Sequence, residues 1–571
     1  MSGAATLPAC LLRHARERPG DVALRKKDLG RWQEWTWAEY AQQVARVAAG
    51  LRASGVEAGD RIAIQAENRP EWLIADIAAQ AIGAIVVGIY PTSPAAELEY
   101  LMRHSGAKLL IAEDEEQADK ALAISSDLPD LGELFVIDPR GVRSEDVRRW
   151  DELEGAEPLD LEACAAKLDP EKTAIIVYTS GTTGPPKGAM LTHANMLYAA
   201  RIFRDAYSTS PDDEVLSYLP LCHIAERLFS VLGALEAGYV VNFGAGGESF
   251  GADMREVQPT FFLGVPRVWE KMLASVEVRM ADASRAKRLV WRMAFARGGL
   301  IGHLLAFRAL REKLGLLRVR AAISGAAPIA PQVLEFFARI GVRVREGYGQ
   351  TEGTAVATAT PEDGIRIGTV GKALPEVELQ TTDDGEILIR SPGVFQGYFR
   401  DDDATAETID LDGWLHTGDV GELDSDGYLT ITDRKKDIII TAGGKNISPS
   451  EIENKLKVSP YVREAIVIGD RRKYVSALIG IELDTVADWA GRRGVTFTTY
   501  SDLASKEPVR ELIGEWVEQV NGELAQVEQV KRFSLLRKEL DHEDGQLTAT
   551  QKVKRAAISD EFADEVEGLY A

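Results

Sequence analysis

Residues 173–188 read TAIIVYTSGTTGPPKG, and this stretch decides the fold. Its apolar, β-branched beginning predicts a buried strand, which runs directly into a glycine-rich loop. Successive backbone N–H groups of such a loop can surround phosphate oxygens, and Lys187 adds a positive charge. A Walker A loop is excluded because Gly188 follows the lysine, where that motif requires serine or threonine. The stretch indicates a phosphate-binding loop, with a plain surface turn between a strand and a helix as the alternative.

The segments on either side of this stretch indicate an α/β protein. We predict a strand at 61–65, a helix at 70–81 and a strand buried on both faces at 82–89. Such alternation is typical of βαβ units with a mostly parallel sheet. A further strand at 320–324 also ends in a loop that contains glycine. Because ligands gather at the carboxyl ends of strands in open α/β sheets, we expect several of these loops to converge on one crevice.

A domain boundary is predicted near the segment DRKKD at 433–437. The segments after it predict a separate α+β unit with a helix at 449–457, paired strands at 465–468 and 475–479, and a long helix at 507–526. The predicted fold class is therefore α/β, with a large N-terminal domain (1–432) of mostly parallel sheets and helices and a small α+β C-terminal domain (433–571).

Composition limits the partners and the compartment. The chain has 571 residues and a formal net charge of −23, which disfavours binding to nucleic acid. Its three cysteines are scattered without C-x-x-C spacing, so we expect neither a disulfide framework nor a zinc site. No apolar run is long enough to predict a spanning helix, and the beginning shows no secretory signal. These features predict a cytoplasmic protein.

Four further motifs follow in order along the chain. They read SGAAP at 324–328, EGYGQTE at 346–352, WLHTGD at 414–419 and LTATQKVKR at 547–555. Together with the glycine-rich loop, they resemble the adenylate-forming (AMP-binding) superfamily of acyl- and aryl-CoA synthetases, luciferases and peptide-synthetase adenylation domains. The resemblance covers essentially the whole chain, and it implies that the protein activates a carboxylic acid with ATP.

The resemblance implies a set of nucleotide-binding residues and two metal ligands. The nucleotide-binding residues are Thr179, Ser180, Gly181, Thr182, Thr183, Gly184 and Lys187 in the glycine-rich loop, Gly325, Ala326 and Ala327 in the adenine-side loop, Glu346, Gly347, Tyr348, Gly349, Gln350 and Thr351 in the second nucleotide motif, and Asp419 and Arg434 at the ribose. The ring of Tyr348 would pack against adenine, and Thr182 and Glu352 would bind Mg²⁺, which prefers oxygen ligands. Taken alone, Glu352 would be interpreted as a solvated glutamate at the start of a helix.

Three residues are implied to act in catalysis: Lys187, His223 and Lys552. Lys552 resembles the lysine that neutralises charge between the carboxylate and the α-phosphate, although Gln551 stands where the commoner motif has glycine. Lys554 and a simple basic tail are the alternatives. Attack on ATP would release pyrophosphate and leave an acyl-adenylate, held by positioning and electrostatics alone. The family then rotates its mobile small domain, here about a hinge at 435–436, so that a thiol can displace AMP.

Three segments indicate which class of carboxylic acid the protein activates. The motif PLCHIAER at 220–227 resembles long-chain fatty acyl-CoA synthetases, and His223 would lie near the carboxylate, a structural role being equally compatible. Trp269, in GVPRVWEK at 264–271, occupies the place of an aromatic gate to the acyl tunnel, or is a core tryptophan. The run ITAGGKN at 440–446 resembles the bubblegum-type and bacterial long-chain branches. The Phe-Asp pair usual in amino-acid-activating relatives is absent.

The predicted function is an ATP-dependent long-chain fatty acid:CoA ligase that uses ATP, Mg²⁺ and CoA. The alternatives are a fatty acyl-AMP ligase that passes the acyl group to a carrier protein, a ligase for medium-chain or aryl acids, and a catalytically silent nucleotide- or acyl-binding protein.

Residues 285–320 hold ten basic residues and one acidic residue, with Trp291 and Phe295 interleaved. This segment either contacts an anionic membrane or forms solvated helices with a packed apolar face. Monomer and homodimer both stay open.

Overall fold

The strand that precedes the glycine-rich loop lies inside the largest sheet. The computed structural model describes residues 4–179, 184–542, 544–548 and 552–571. Within them this central sheet has eight strands, in the spatial order Gly397–Tyr398, Lys187–Thr192, Thr173–Thr179, Ile85–Ile89, Arg61–Gln65, Leu109–Ala112, Glu133–Val136 and Val147–Arg149. The strands from Thr173–Thr179 to Val147–Arg149 are parallel, and apolar clusters cover both faces. The predicted α/β class with a mostly parallel sheet is confirmed.

The glycine-rich loop connects two strands of a hairpin. Thr173–Thr179 pairs antiparallel with Lys187–Thr192, so that Thr179 lies opposite Lys187. This second strand is absent from the sequence prediction. The strand predicted at 82–89 begins only at Ile85, because Gly83 adopts a left-handed conformation (φ +82°) that ends the preceding helix.

Three further sheets belong to the large domain. The second sheet orders Phe261–Gly264, Ala321–Ser324, Val344–Tyr348, Thr358–Ala359 and Lys372–Ala373, and the third orders Glu214–Ser217, Val240–Phe243, Val22–Asp28 and Arg31–Thr36. In both, the first three strands are parallel and the other pairings are antiparallel. The fourth sheet is antiparallel throughout and orders Glu378–Thr381, Glu386–Arg390, Leu415–Leu423 and Leu429–Arg434.

Helices cover these sheets. The α-helices of this part of the chain are Leu7–Glu17, Trp37–Ala53, Pro70–Ala81, Ala95–Ser105, Glu115–Ala123, Trp150–Glu154, Leu161–Ala165, His193–Tyr207, Ile224–Glu226, Gly233–Ala237, Phe250–Val257, Pro266–Ala281, Arg285–Arg297, Gly299–Gly302, Arg308–Leu314, Pro331–Arg339 and Asp402–Thr408. The helix predicted at 70–81 is confirmed at both ends, with Pro70 at its first turn. In the part of the chain that the structure describes, no helix is both long and apolar enough to cross a bilayer.

The small domain has its own sheet and core. Its strands are Val462–Ile468, Val475–Ile481 and Val530–Leu535, beside a short hairpin of Ile439–Ile440 and Asn446–Ile447. Its α-helices are Pro449–Lys457, Leu483–Arg492, Tyr500–Ala504, Glu507–Asn521, Arg555–Glu561 and Ala563–Gly568. The antiparallel pairing of the first two strands confirms the predicted pair, and buried side chains fill both faces of the sheet.

Two predictions near this domain differ in detail from the structure. The helix predicted at 507–526 ends at Asn521, whose side chain accepts from the Val530 N–H (2.8 Å) and donates to its carbonyl (3.0 Å). These bonds fix the following turn and strand, which a helix through 526 would displace. The boundary predicted between 432 and 433 falls inside strand Leu429–Arg434, and it stays a prediction.

Candidate active site

The ends of the glycine-rich loop are held by the central sheet. The Thr179 hydroxyl donates to the Lys187 carbonyl at 3.4 Å, and Gly184 has φ +83°, a conformation that suits glycine. The predicted nucleotide contacts Ser180, Gly181, Thr182 and Thr183 lie outside the described residues. What the structure shows is therefore the base of the loop, with Lys187 exposed at the edge of the hairpin.

One tyrosine links the two charges predicted to face the triphosphate. The Lys187 ammonium lies 5.1 Å from the centre of the Tyr398 ring, and the Tyr398 hydroxyl donates to Glu352 Oε1 at 2.7 Å. Burial and the Glu352 charge raise the pKa of Tyr398 above its ordinary value, so the hydroxyl stays a donor. The structure thus brings Lys187 and Glu352 together through a residue that sequence reasoning missed. Tyr398 reaches the site because Gly397–Tyr398 is the edge strand beside Lys187–Thr192.

The predicted ribose residues form a compact group on neighbouring strands. Asp419 is directly opposite Arg434 in the antiparallel ladder, and the Arg434 Nε lies 3.5 Å from Asp419 Oδ1. The Tyr348 hydroxyl donates to the other carboxylate oxygen at 2.6 Å. Burial raises the pKa of Asp419, while Arg434, Tyr348 and then Lys552 act in the opposite direction. A buried carboxylate held by a cation and a hydroxyl is a suitable acceptor for a pair of vicinal hydroxyls.

The predicted adenine-side residues lie where the second sheet ends. Gly325, Ala326 and Ala327 follow strand Ala321–Ser324, and Ala326 has φ +70°, which is strained for a residue with a side chain. A Cβ on Gly325 would lie 3.2 Å from the Gly347 carbonyl, so the two motifs are in close contact. Such backbone strain at a strand end is a common feature of ligand sites.

The second nucleotide motif turns tightly at the end of strand Val344–Tyr348. A Cβ on Gly349 would lie 2.3 Å from the carbonyl oxygen of Ala355, so only glycine fits there. The Gln350 carbonyl accepts from the Gly353 N–H at 3.0 Å, which turns the chain through Thr351. Burial raises the pKa of the Glu346 carboxyl to about 7. The fold therefore keeps this motif together, and its nucleotide contacts stay a prediction.

Lys552 enters the site from the small domain. The Thr548 N–H donates to the Lys552 carbonyl (2.8 Å) and the Lys552 N–H donates to the Thr548 hydroxyl (3.0 Å), closing a hairpin-like loop. Burial and then Arg434 lower the pKa of Lys552 to about 8, against the opposing effects of Asp419 and Glu352. The ammonium therefore lies within electrostatic reach of both the ribose group and the predicted metal ligand, although 549–551 lie outside the described residues.

His223 is a helix cap that also faces Lys552. Its Nδ1 accepts the Ala225 N–H at 3.2 Å, so the neutral ring carries its proton on Nε2. Burial and then the Lys552 charge lower the pKa of His223 to about 4. At neutral pH the ring is therefore a hydrogen-bond donor without charge. The structure shows a structural role at Nδ1, and the catalytic role of His223 stays a prediction.

The rest of the motif around His223 is a buried polar network. Glu226 accepts from the Ser217 hydroxyl at 2.6 Å, and burial raises its pKa to about 7. Arg227 forms a buried ion pair in which its Nη2 donates to both carboxylate oxygens of Asp76, at 2.7 and 2.8 Å. These residues were not predicted as a network, because their partners are far away in sequence. The charged residues Glu226 and Arg227 inside the apolar motif PLCHIAER were the signal that could have indicated a buried polar network.

Trp269 is a core residue in this structure. Its side chain is fully buried, and its Nε1–H points at the carbonyls of Gly264 (2.9 Å) and Ile323 (3.3 Å). Its ring packs edge-on against Phe262 and Phe337. The gate role stays a prediction, and a swinging motion would have to break these contacts.

Several known proteins are similar to this chain in sequence or in overall fold. Family models described as AMP-binding enzyme and AMP-binding enzyme C-terminal domain match residues 11–399 and 436–571. The long-chain-fatty-acid–CoA ligase FadD15 of Mycobacterium bovis is 35% identical, over 98% of this chain and 96% of that protein. The long-chain-fatty-acid–CoA ligase ACSBG1 of Mus musculus is 30% identical, over 96% and 83%. ATP-bound MatB from Rhodopseudomonas palustris superposes with a TM-score of 0.74 at 26% identity, covering 98% of this chain and 99% of that structure.

A large α/β domain whose strand ends meet a lysine from a small C-terminal domain is the adenylate-forming two-domain fold. The chain belongs to the AMP-binding enzyme family. The resemblance drawn from the sequence motifs is thereby confirmed.

The lowered pKa of Lys552 can be measured directly. We expect reductive ¹³C-methylation to give one lysine resonance that titrates near pH 8, well below the usual value of about 10.4. The amine loses its proton as pH rises through that value, because burial and the nearby Arg434 charge disfavour the protonated form. ¹³C NMR of the methylated protein, with Lys552→Arg to assign the resonance, is the measurement. A Lys552 resonance that titrates at the usual value would contradict the described packing.

Proposed function

We propose that this chain is an ATP-dependent long-chain fatty acid:CoA ligase, which forms acyl-AMP and pyrophosphate and then acyl-CoA and AMP. The observation that carries the proposal is the position of Lys552, a small-domain cation that acts electrostatically on His223 and Asp419 and is itself influenced by Glu352. Relatives named long-chain-fatty-acid–CoA ligase along nearly the whole chain support the choice of acid and acceptor.

The first half-reaction follows from charge. A carboxylate and a triphosphate repel each other, and Lys187 and Lys552 would offset that repulsion. A carboxylate oxygen bonds to the α-phosphorus while the bond to the bridging oxygen breaks, and pyrophosphate leaves. The neutral His223 ring would donate from Nε2 toward the carboxylate or α-phosphate. No covalent enzyme intermediate is needed, since positioning and electrostatics suffice.

The second half-reaction needs a different occupant of the same crevice. The sulfur of CoA attacks the acyl carbonyl carbon, AMP departs with the former carboxylate oxygen, and the thiol proton leaves to solvent. Lys552 is buried and within electrostatic reach of Asp419 and Glu352, and we propose that the small domain moves to admit the thiol. Segment 435–436, directly after strand Leu429–Arg434, is the proposed hinge between domains 1–432 and 433–571.

The predicted magnesium ligand has suitable chemistry. Glu352 Oε1 accepts the Tyr398 hydroxyl, and no hydrogen bond from a described residue occupies Oε2. A half-buried carboxylate oxygen fits a hard cation that prefers oxygen ligands. Thr182, the other predicted ligand, lies outside the described residues. Bound there, Mg²⁺ would neutralise charge on the triphosphate.

The basic segment 285–320 divides into two parts in the structure. Arg318 and Arg320 form ion pairs with Glu214 and Asp213. Trp291 and Phe295 pack against each other and against Phe307. These aromatic contacts form the packed apolar face that the sequence left as one alternative. Helix Arg285–Arg297 nevertheless exposes an outer face of two apolar and three basic side chains, namely Leu289, Met293, Arg285, Arg288 and Arg292. None of these three cations has an ion-pair partner within the described residues.

We propose that this face contacts an anionic membrane, where fatty acids partition, while the protein itself is cytoplasmic. Leu289 is 56% and Met293 42% exposed, and both lie on one side of the helix among the cations. The three cysteines are free and buried, which suits a reducing compartment.

Membrane contact is tested by flotation with anionic vesicles at low salt. We expect the protein to float with phosphatidylserine vesicles and to lose that binding in Arg288→Glu/Arg292→Glu, because each basic residue near such a surface is worth about 1 kcal/mol. Arg318→Glu, whose cation is already paired, is the control. Failure of the unmodified protein to float at low salt would sink the membrane proposal.

The activity is tested by ATP–pyrophosphate exchange with butyrate, octanoate, palmitate and benzoate. We expect the fastest exchange with palmitate, because the proposed substrate is a long-chain acid. Product analysis with CoA as the sole thiol separates a CoA ligase from a ligase that requires a carrier protein. Tight ATP binding without exchange for any acid would instead favour a silent binding protein.

Lys552→Ala tests the assignment of the catalytic lysine. We expect it to lower pyrophosphate exchange by about 100-fold or more, the usual loss when one preorganised electrostatic contact to a transition state is removed. Conversion of supplied acyl-AMP to acyl-CoA should change much less. Lys554→Ala is the matched control, two residues away in the same segment. Equal losses in both half-reactions would count against this role for Lys552.

A further inference from the structure

One ion pair joins the large domain to the segment of the small domain that contains His542 and Lys552. The His542 Nε2 lies 3.3 Å from Glu97 Oε2, across the interface between the domains. His542 is buried, and the Glu97 side chain is about one-quarter exposed at 23%. A contact so sheltered from solvent is screened less than a surface ion pair, and losing one partner leaves the other poorly solvated.

Both ring nitrogens of His542 face oxygen atoms that can only accept. Its Nδ1 lies 3.1 Å from the Leu547 carbonyl, and its Nε2 faces the Glu97 carboxylate. The imidazolium form, with a proton on each nitrogen, donates to the Leu547 carbonyl and places its positive charge against the carboxylate, although the Nε2 contact is an ion pair and not an aligned hydrogen bond. The contact with Glu97 raises the pKa of His542 above its ordinary value, against the opposing effects of burial and Lys554. Among the described residues, Glu97 and Lys554 are the charged groups with the largest effects on the pKa of this ring.

The Leu547 carbonyl connects this pair to Lys552. Leu547 forms an antiparallel bridge with Val553, and the Lys554 N–H donates to the Gln546 carbonyl at 2.8 Å. Leu547 and Gln546 are both buried. The imidazolium therefore holds one strand of the hairpin whose other strand begins with Lys552, so that a shift at His542 would be transmitted to the lysine.

The large-domain partner is equally well placed. Glu97 lies in the first turn of helix Ala95–Ser105, where the helix dipole favours a negative charge. On the same helix the Tyr100 hydroxyl donates to the Pro186 carbonyl at 3.0 Å, directly before Lys187. This helix thus contacts the base of the glycine-rich loop and, through Glu97, the hairpin that holds Lys552. It therefore contacts the segments that carry both lysines.

We infer that Glu97 and His542 are a positioning pair that seats Lys552 for adenylate formation and parts when the thiol is admitted. The inference rests on the proposed two-step ligase function. Neither residue touches the reacting atoms in this account. Loss of the pair should therefore slow the first half-reaction without slowing the second, a pattern that a general loss of structure would not produce.

The experiment compares Glu97→Ala with Glu99→Ala in the full-length protein. Glu99 lies on the same helix, and its one ion pair among the described residues is with Arg103, an exposed neighbour on that helix. With palmitate we expect Glu97→Ala to lower pyrophosphate exchange at least about fivefold, the lower end of typical coupling between two states. Conversion of supplied acyl-AMP and CoA should stay unchanged or become faster. Glu99→Ala should leave both rates within about twofold, as expected for an exposed pair.

The pH dependence gives a second readout. The pair is intact below the raised pKa of His542 and is lost as pH rises through it, because the neutral ring presents a lone pair to the carboxylate. The ratio of wild-type to Glu97→Ala exchange rates should therefore be largest near pH 6 and approach one at high pH. His542→Gln should produce the same split, and the double variant should lose no more than either single variant.

The outcomes are distinguishable. If the wild-type protein shows no exchange with any acid, the proposed function fails. If it does exchange, then equal losses in both half-reactions, additive losses in the double variant, or a Glu97→Ala effect that does not change with pH would each overturn the positioning pair.

Discussion

The burial of the central sheet on both faces is the constraint on which the site depends. Apolar side chains cover the strands above and below, so polar groups can meet a ligand only where strands end. The glycine-rich loop leaves the sheet at Thr179, the second nucleotide motif follows Tyr348 on the second sheet, and Asp419 stands on the antiparallel sheet. Three sheets with different partners thus open onto one crevice. Its geometry is a consequence of strand order more than of any single motif.

The charges of the crevice are divided between two domains. The large domain supplies Lys187, Glu352 and Asp419, and the small domain supplies Lys552. Burial keeps the pKa of that lysine low, and charges on both sides of the interface adjust it further. Because Lys552 belongs to a different domain, its position relative to the other three charges depends on how the two domains pack against each other.

Polar residues near the site have unequal roles. His223 faces Lys552, yet the neighbouring Glu226 and Arg227 are fully buried and bind Ser217 and Asp76. A buried charge that loses its partner costs about 3–5 kcal/mol, so these residues stabilise the loop on which His223 stands. Their residue types are also common among catalytic residues. Only the position of their partners shows that Glu226 and Arg227 stabilise the loop.

The sequence by itself determined the fold class, the family and most elements near the site. Local periodicity was enough for helices such as Pro70–Ala81 and Pro449–Lys457, and fixed motif order was enough to identify the family. Other features were decided only by the tertiary structure, because they join residues far apart in the chain. Tyr398 beneath Lys187 and Glu97 beside His542 are such cases. No local pattern records such pairs, since packing of the whole chain brings their members together.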